Sequence, residues 1–104
     1  MAADADRSPN ETDCESLTVI VTNRDGLHAR PSLAIVQTVG KYDAHVTVHK
    51  GSQCANASSA LDLLSLGAAQ GTELVLTATG PDSQQVLAEL QLLFANEFGV
   101  TYDD

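Results

Sequence analysis

Between Leu17 and Gly40 the apolar spacing changes once, from every second residue to every third or fourth, and the change falls on a glycine-containing turn. The stretch LTVIVTN (17–23) alternates, with Leu17, Val19 and Val21 on one side, as a strand with one covered face does. Asp25-Gly26 interrupts it. From Ala29 the apolar set becomes Leu33, Val36 and Gly40, with Ile35 and Val39 beside it, which predicts a helix over 29–39. Pro31 suits the first turn of that helix, where backbone N–H groups have no partner to lose. Gly40 is the expected stop, and Asp25-Gly26-Leu27-His28-Ala29-Arg30-Pro31-Ser32 spans the junction.

The same two periods alternate through the rest of the chain. AHVTVHK (44–50) predicts a strand with Ala44, Val46 and Val48 inward, and Gly51-Ser52 turns into a short polar edge strand over 53–56. Ser59 opens a short helix with a hydroxyl at the cap and Asp62 three positions on, and Gly67 ends it. TELVLTAT (72–79) predicts a further strand. After Gly80-Pro81, Asp82 is placed to cap a helix reaching about Glu97, with Val86, Leu90 and Leu93 beside Leu87 and Phe94 on one stripe. Single-faced strands joined through a hairpin imply an α+β open sandwich, an antiparallel or mixed sheet covered on one side by helices.

The chain has 104 residues, room for one domain, and a formal net charge of −9. That charge is concentrated in the tails: residues 1–16 carry five acids and one base, and Asp103 and Asp104 close the chain. We expect an acidic, disordered leader over 1–16, a folded domain over 17–99 and an acidic tail over 100–104. Nucleic-acid binding is excluded as an expectation, because backbone phosphates need clustered Lys and Arg that this chain lacks. With no apolar run near eighteen residues and no basic-then-apolar start, a cytoplasmic protein without membrane insertion is expected. Cys14 and Cys54 have no spacing that suggests a disulfide framework or a zinc site and are expected to be free thiols. His45 and His49 lie about 13 Å apart along one strand, too far to share a metal, and are expected to be solvated. No metal or other cofactor is expected.

At the start of a helix, His28 would stand where unpaired N–H groups and the positive dipole end point outward. An anion is favoured there and an imidazolium is not, so His28 is expected to be neutral, with one ring nitrogen free to attack. Arg30 can fork onto phosphate oxygens, and Gly26 allows close backbone approach. A neutral nitrogen nucleophile, backbone donors and a nearby cation are what a phosphoryl group carried on histidine requires. The same three residues also suit a structural histidine at a helix cap.

GLHARPS, then VQTVGKYDAHVTV, a Ser-initiated short helix ending in SLGAAQG, and ELVLTATGPD before an amphipathic helix resemble the histidine-containing phosphocarrier (HPr) family of the bacterial phosphoenolpyruvate-dependent sugar phosphotransferase system. The resemblance covers about residues 17–99. It implies an open-faced sandwich of four antiparallel strands covered on one face by three helices. It also implies a monomeric phosphocarrier, rather than a stand-alone enzyme, that accepts a phosphoryl group from Enzyme I and passes it to IIA components of sugar permeases. By position, His28 matches the phosphorylated histidine, Arg30 the phosphate-stabilising arginine and Pro31 the proline of the motif. Ser59 matches a serine that an HPr kinase/phosphorylase modifies in many members; helix capping alone also explains a serine there. Leu61 and Leu64 match an exposed docking patch, although in isolation their helical spacing equally suits a core.

The chain departs from the pattern where family members commonly surround the active histidine with lysines. Arg24 and Arg30 are left to meet a partner, and Asp25 occupies a loop position where an uncharged polar residue would suit phosphate better. Two functions follow from the resemblance: a phosphocarrier feeding IIA components, or a regulatory module whose phosphorylation controls a kinase or transcription factor without sugar transport. A third, a non-phosphorylated interaction domain, is disfavoured by the intact His28-Ala29-Arg30-Pro31.

Overall fold

Alternating apolar residues build four strands and periodic ones build three helices in the computed structural model, which describes residues 14–99. The strands are β1 (Glu15–Ile20), β2 (His45–Lys50), β3 (Gln53–Asn56) and β4 (Glu73–Thr79); the helices are α1 (Ala29–Val39), α2 (Ala60–Ser65) and α3 (Ser83–Ala95). All pairings are antiparallel, in the order β1-β4-β2-β3. β4 therefore lies between β1 and β2, with Leu17 opposite Leu76 and Val48 opposite the same residue on the other side. The inward residues Val19, Val46, Val48, Ala55, Leu74, Leu76 and Ala78 form one core with Ile35, Val39, Leu63, Val86, Leu90 and Phe94 of the helices. The three helices thus cover one face of an α+β open-faced sandwich, and β3 is an edge strand as its polar sequence implies. No described helix is long and apolar enough to cross a membrane.

Several local expectations are corrected. β1 begins at Glu15 and ends at Ile20, so residues 15 and 16 belong to the sheet rather than to the leader. Pairing nevertheless continues through Val21, whose N–H reaches Thr72 O at 2.9 Å and whose carbonyl accepts from Gly71 N at 2.7 Å. Residues 1–13 of the leader and the 100–104 tail lie outside the described residues. In α1 the buried side is Pro31, Ser32, Ile35, Thr38 and Val39, while Leu33 faces solvent. Two polar residues take part in the buried stripe, which turns the helix away from the face that its leucine suggests. Asp82 does precede α3, but its carboxylate makes no cap bond and instead accepts from Asp43 N at 2.7 Å. His49 is not simply solvated, since its Nε2 lies 3.1 Å from Thr77 Oγ1.

Beyond Gly40, Lys41 and Tyr42 tie the end of α1 to α3: the Lys41 ammonium and the Tyr42 hydroxyl each donate to the carboxylate of Glu89. The Lys41 bond, followed by that from Tyr42, holds the Glu89 carboxyl below its usual range, and the bond to Glu89 raises the Lys41 ammonium. A depressed carboxyl contributes stability above its unfolded value and loses it as pH falls through the folded one. Glu89→Gln should therefore be less stable than the parent at neutral pH, and the gap should close below about pH 4.5. Melting curves across pH 3–7 measure this, and a gap independent of pH would contradict it. The effect is small because the cluster is exposed to solvent.

Candidate functional site

The turn after β1 is held from beneath by the segment between α2 and β4. Gly26 has φ +69°, and a Cβ placed there would lie 2.3 Å from Ala68 O. Leu27 N–H donates to that same Ala68 carbonyl at 2.9 Å. The close approach that glycine permits is thus to the protein's own backbone, not to a ligand. Asn23, fully buried, donates from Nδ2 to Gly26 O, and its backbone carbonyl accepts from Gly26 N at 3.1 Å. Ser32 Oγ donates to Leu27 O at 3.3 Å. Asn23 and Ser32 were not apparent as site residues in the sequence, where each reads as an ordinary polar position at the end of a strand or on a helix surface.

Gly26→Ala should be strongly destabilising. A left-handed residue with a Cβ costs roughly 1–2 kcal/mol, and here the new carbon also meets an unyielding backbone carbonyl. A loss of about 2 kcal/mol, seen as a Tm lower by roughly 10 °C, is expected. A shift of only about 2 °C would mean that the loop can re-pack at little cost.

This braced turn delivers His28 to the N-cap of α1, with φ −80°, ψ −166° and no side-chain cap bond. Its backbone carbonyl accepts from Ser32 N at 3.1 Å, closing the first helical bond. The ring is half-buried: Nε2 is enclosed and has no hydrogen-bond partner. Nδ1 is left as the ring nitrogen open to an incoming group. Pro31 has no N–H, so the donors at the helix start are those of Ala29 and Arg30. Arg30 is exposed in this first turn. Among the described basic residues, Lys41 binds Glu89, Lys50 donates to Leu66 O at 2.8 Å, and Arg24 lies 4.0 Å from the Asp25 carboxylate. Arg30 has no such partner among the described residues and is the cation available beside His28.

The remaining predicted positions are distributed around this centre. Ser59 caps α2, its side-chain oxygen accepting from Asp62 N at 3.2 Å, while the Asp62 carboxylate turns away to Asn56 N at 3.3 Å. Leu63 fills the core, but Leu61 is 76% exposed and Leu64 39%. Their spacing is therefore not that of core residues. Leu33, on α1, is 51% exposed, and α1 packs against α2. Cys14 and Cys54 are free and exposed. No group of three or more His, Cys, Asp or Glu among the described residues could hold a metal.

The family model described as "PTS HPr component phosphorylation site" matches residues 15–96. The phosphocarrier protein HPr of Treponema pallidum is 37% identical over 81 residues, covering 78% of this chain and 92% of its own length. The phosphoryl donor subunit DhaM of the PEP-dependent dihydroxyacetone kinase of Klebsiella michiganensis is 32% identical over 90 residues, 86% of this chain, but the chain spans only 19% of that longer protein. The crystal structure of HPr from Thermoanaerobacter tengcongensis superposes with a TM-score of 0.80 at 34% identity, covering 85% of this chain and 99% of that one.

Proposed function

The chain belongs to the HPr family of phosphocarriers of the phosphotransferase system, and from that membership we propose that His28 carries the phosphoryl group. The observation that supports this reading is the presentation of His28 at the N-cap of α1, with Nε2 enclosed and Nδ1 open. The Nδ1 lone pair attacks phosphorus, the bond to the donor's leaving atom breaks, and that atom departs with the electron pair. Two backbone N–H groups and the Arg30 guanidinium meet the phosphoryl oxygens as they leave the donor. Little further machinery is needed, because phosphoryl transfer depends on positioning and charge stabilisation. The second transfer reverses the roles, so that in this reading the protein is a carrier and not an enzyme on its own.

Enzyme I is the donor and IIA components are the acceptors in this reading. Leu61 and Leu64, with Arg24 and Arg30 contributing charge, form the surface these partners meet, consistent with the exposure of both leucines. Ser59 is the position on which a kinase would act. There a phosphate would face the start of α2, opposed by Asp62. The similarity to a dihydroxyacetone kinase donor subunit shows that related domains are not confined to HPr proteins; in the regulatory alternative the phosphorylation state of the protein controls a kinase or transcription factor without sugar transport.

Incubation with phosphoenolpyruvate and a cognate Enzyme I should add one acid-labile phosphoryl group per chain, mapped to His28 by mass spectrometry at neutral or alkaline pH. Label confined to any other residue, or none with an Enzyme I proven active on its own carrier, would overturn the proposal.

A further inference from the structure

Two buried polar atoms in the turn between β1 and α1 have no hydrogen-bond partner among the described residues: Oδ1 of Asn23 and Nε2 of His28. The first can only accept. The second becomes a donor whenever Nδ1 keeps its lone pair for attack, because a neutral imidazole carries its single proton on the other nitrogen. Unpaired buried polar groups are rare and costly, so a spare acceptor and a spare donor in one six-residue segment require a reason. The two residues are already joined through one atom, since Gly26 O accepts both from Asn23 Nδ2 and, at 2.9 Å, from His28 N.

We propose that Asn23 is a positioning residue for phosphoryl transfer at His28. Its amide nitrogen holds the Gly26 carbonyl to which His28 is also bonded, and its free side-chain oxygen receives the Nε2 proton through one enclosed water, since the two atoms make no direct bond, so that the lone pair stays on Nδ1. The inference rests on the reading of His28 as the phosphoryl acceptor. In the opposite tautomer the proton would block the open nitrogen and the lone pair would face a buried position with no donor. During attack the ring gains positive charge, which strengthens the hydrogen bond that Nε2 donates into the bridge to Asn23 Oδ1. The contact is therefore stronger in the transition state than in the ground state, the condition for raising a rate.

The test uses the full chain with ¹⁵N-labelled imidazole, in which the nitrogen shifts report where the ring proton resides, with His45 and His49 as internal controls. In the parent, neutral His28 should be protonated at Nε2. Asn23→Ala should populate the Nδ1-protonated form and slow phosphorylation by Enzyme I about tenfold or more, with the KM for Enzyme I little changed. Asn23→Asp retains an acceptor oxygen and should restore the Nε2-protonated form. An unchanged tautomer in Asn23→Ala would overturn the proposal; if that variant does not fold, loss of the Nε2-protonated form in Asn23→Asp would do so. The tautomer measurement needs no phosphoryl donor. A parent labelled at His28 with an unaffected Asn23→Ala refutes the role of Asn23 alone, whereas an unlabelled parent refutes the carrier reading itself.

Discussion

His28→Ala should abolish phosphoryl acceptance and leave the fold almost unchanged. The ring is half-buried, and the side chain makes no cap bond. The first bond of α1 runs from Ser32 N to the His28 backbone carbonyl, which alanine retains. The loop is held by Leu27 N on Ala68 O and by Asn23 on Gly26, and neither contact uses the imidazole. The cost in stability should therefore stay within about 1 kcal/mol. Removal of the nitrogen nucleophile, by contrast, leaves at the helix start only the Ser32 hydroxyl, which is buried and donates to Leu27 O. His45 and His49 lie in β2 with side chains on the sheet face opposite the helices, so His45→Ala and His49→Ala should still accept the phosphoryl group. Label retained in His28→Ala, or lost in either β2 variant with its melting curve intact, would move the site away from α1.

The candidate site was legible as a pattern because its residues are local: His28, Arg30 and Pro31 fall within four residues, and the switch of apolar period marks where the helix begins. The bounds of α1 and the edge position of β3 were legible for the same reason, since period and polarity are carried by neighbouring residues. Strand order was not, because β4 inserts between β1 and β2 through pairings such as Leu17–Leu76 and Val48–Leu76, which no local pattern encodes. The support of the site was hidden for a similar reason. Gly26 is required by Ala68, more than forty positions away, and Ser32 turns inward because Leu27 O is there to accept its hydroxyl proton. The face of α1 was misread on that account: a serine and a threonine occupy its buried stripe while Leu33 is left outside.

Arg30→Ala should slow phosphoryl transfer by about 100-fold, the usual order for removing one preorganised group that stabilises developing charge, with a melting temperature close to that of the parent. Stability should change little, because the side chain is exposed and has no ion-pair partner among the described residues. The large kinetic effect follows from charge distribution. In a chain with net charge −9, Lys41 is engaged by Glu89, Lys50 by Leu66 O, and Arg24 lies beside Asp25. No other described cation stands in the first turn of α1 to take over the phosphoryl oxygens. Arg30→Lys separates charge from geometry: it keeps the cation but loses the planar fork, so its rate should fall between those of the parent and the alanine variant. If charge alone mattered, lysine would restore the full rate. A fall in Tm large enough to account for the lost activity would instead show that Arg30 holds the helix start together, and the backbone N–H groups of Ala29 and Arg30 would then be the main contacts to the phosphoryl group.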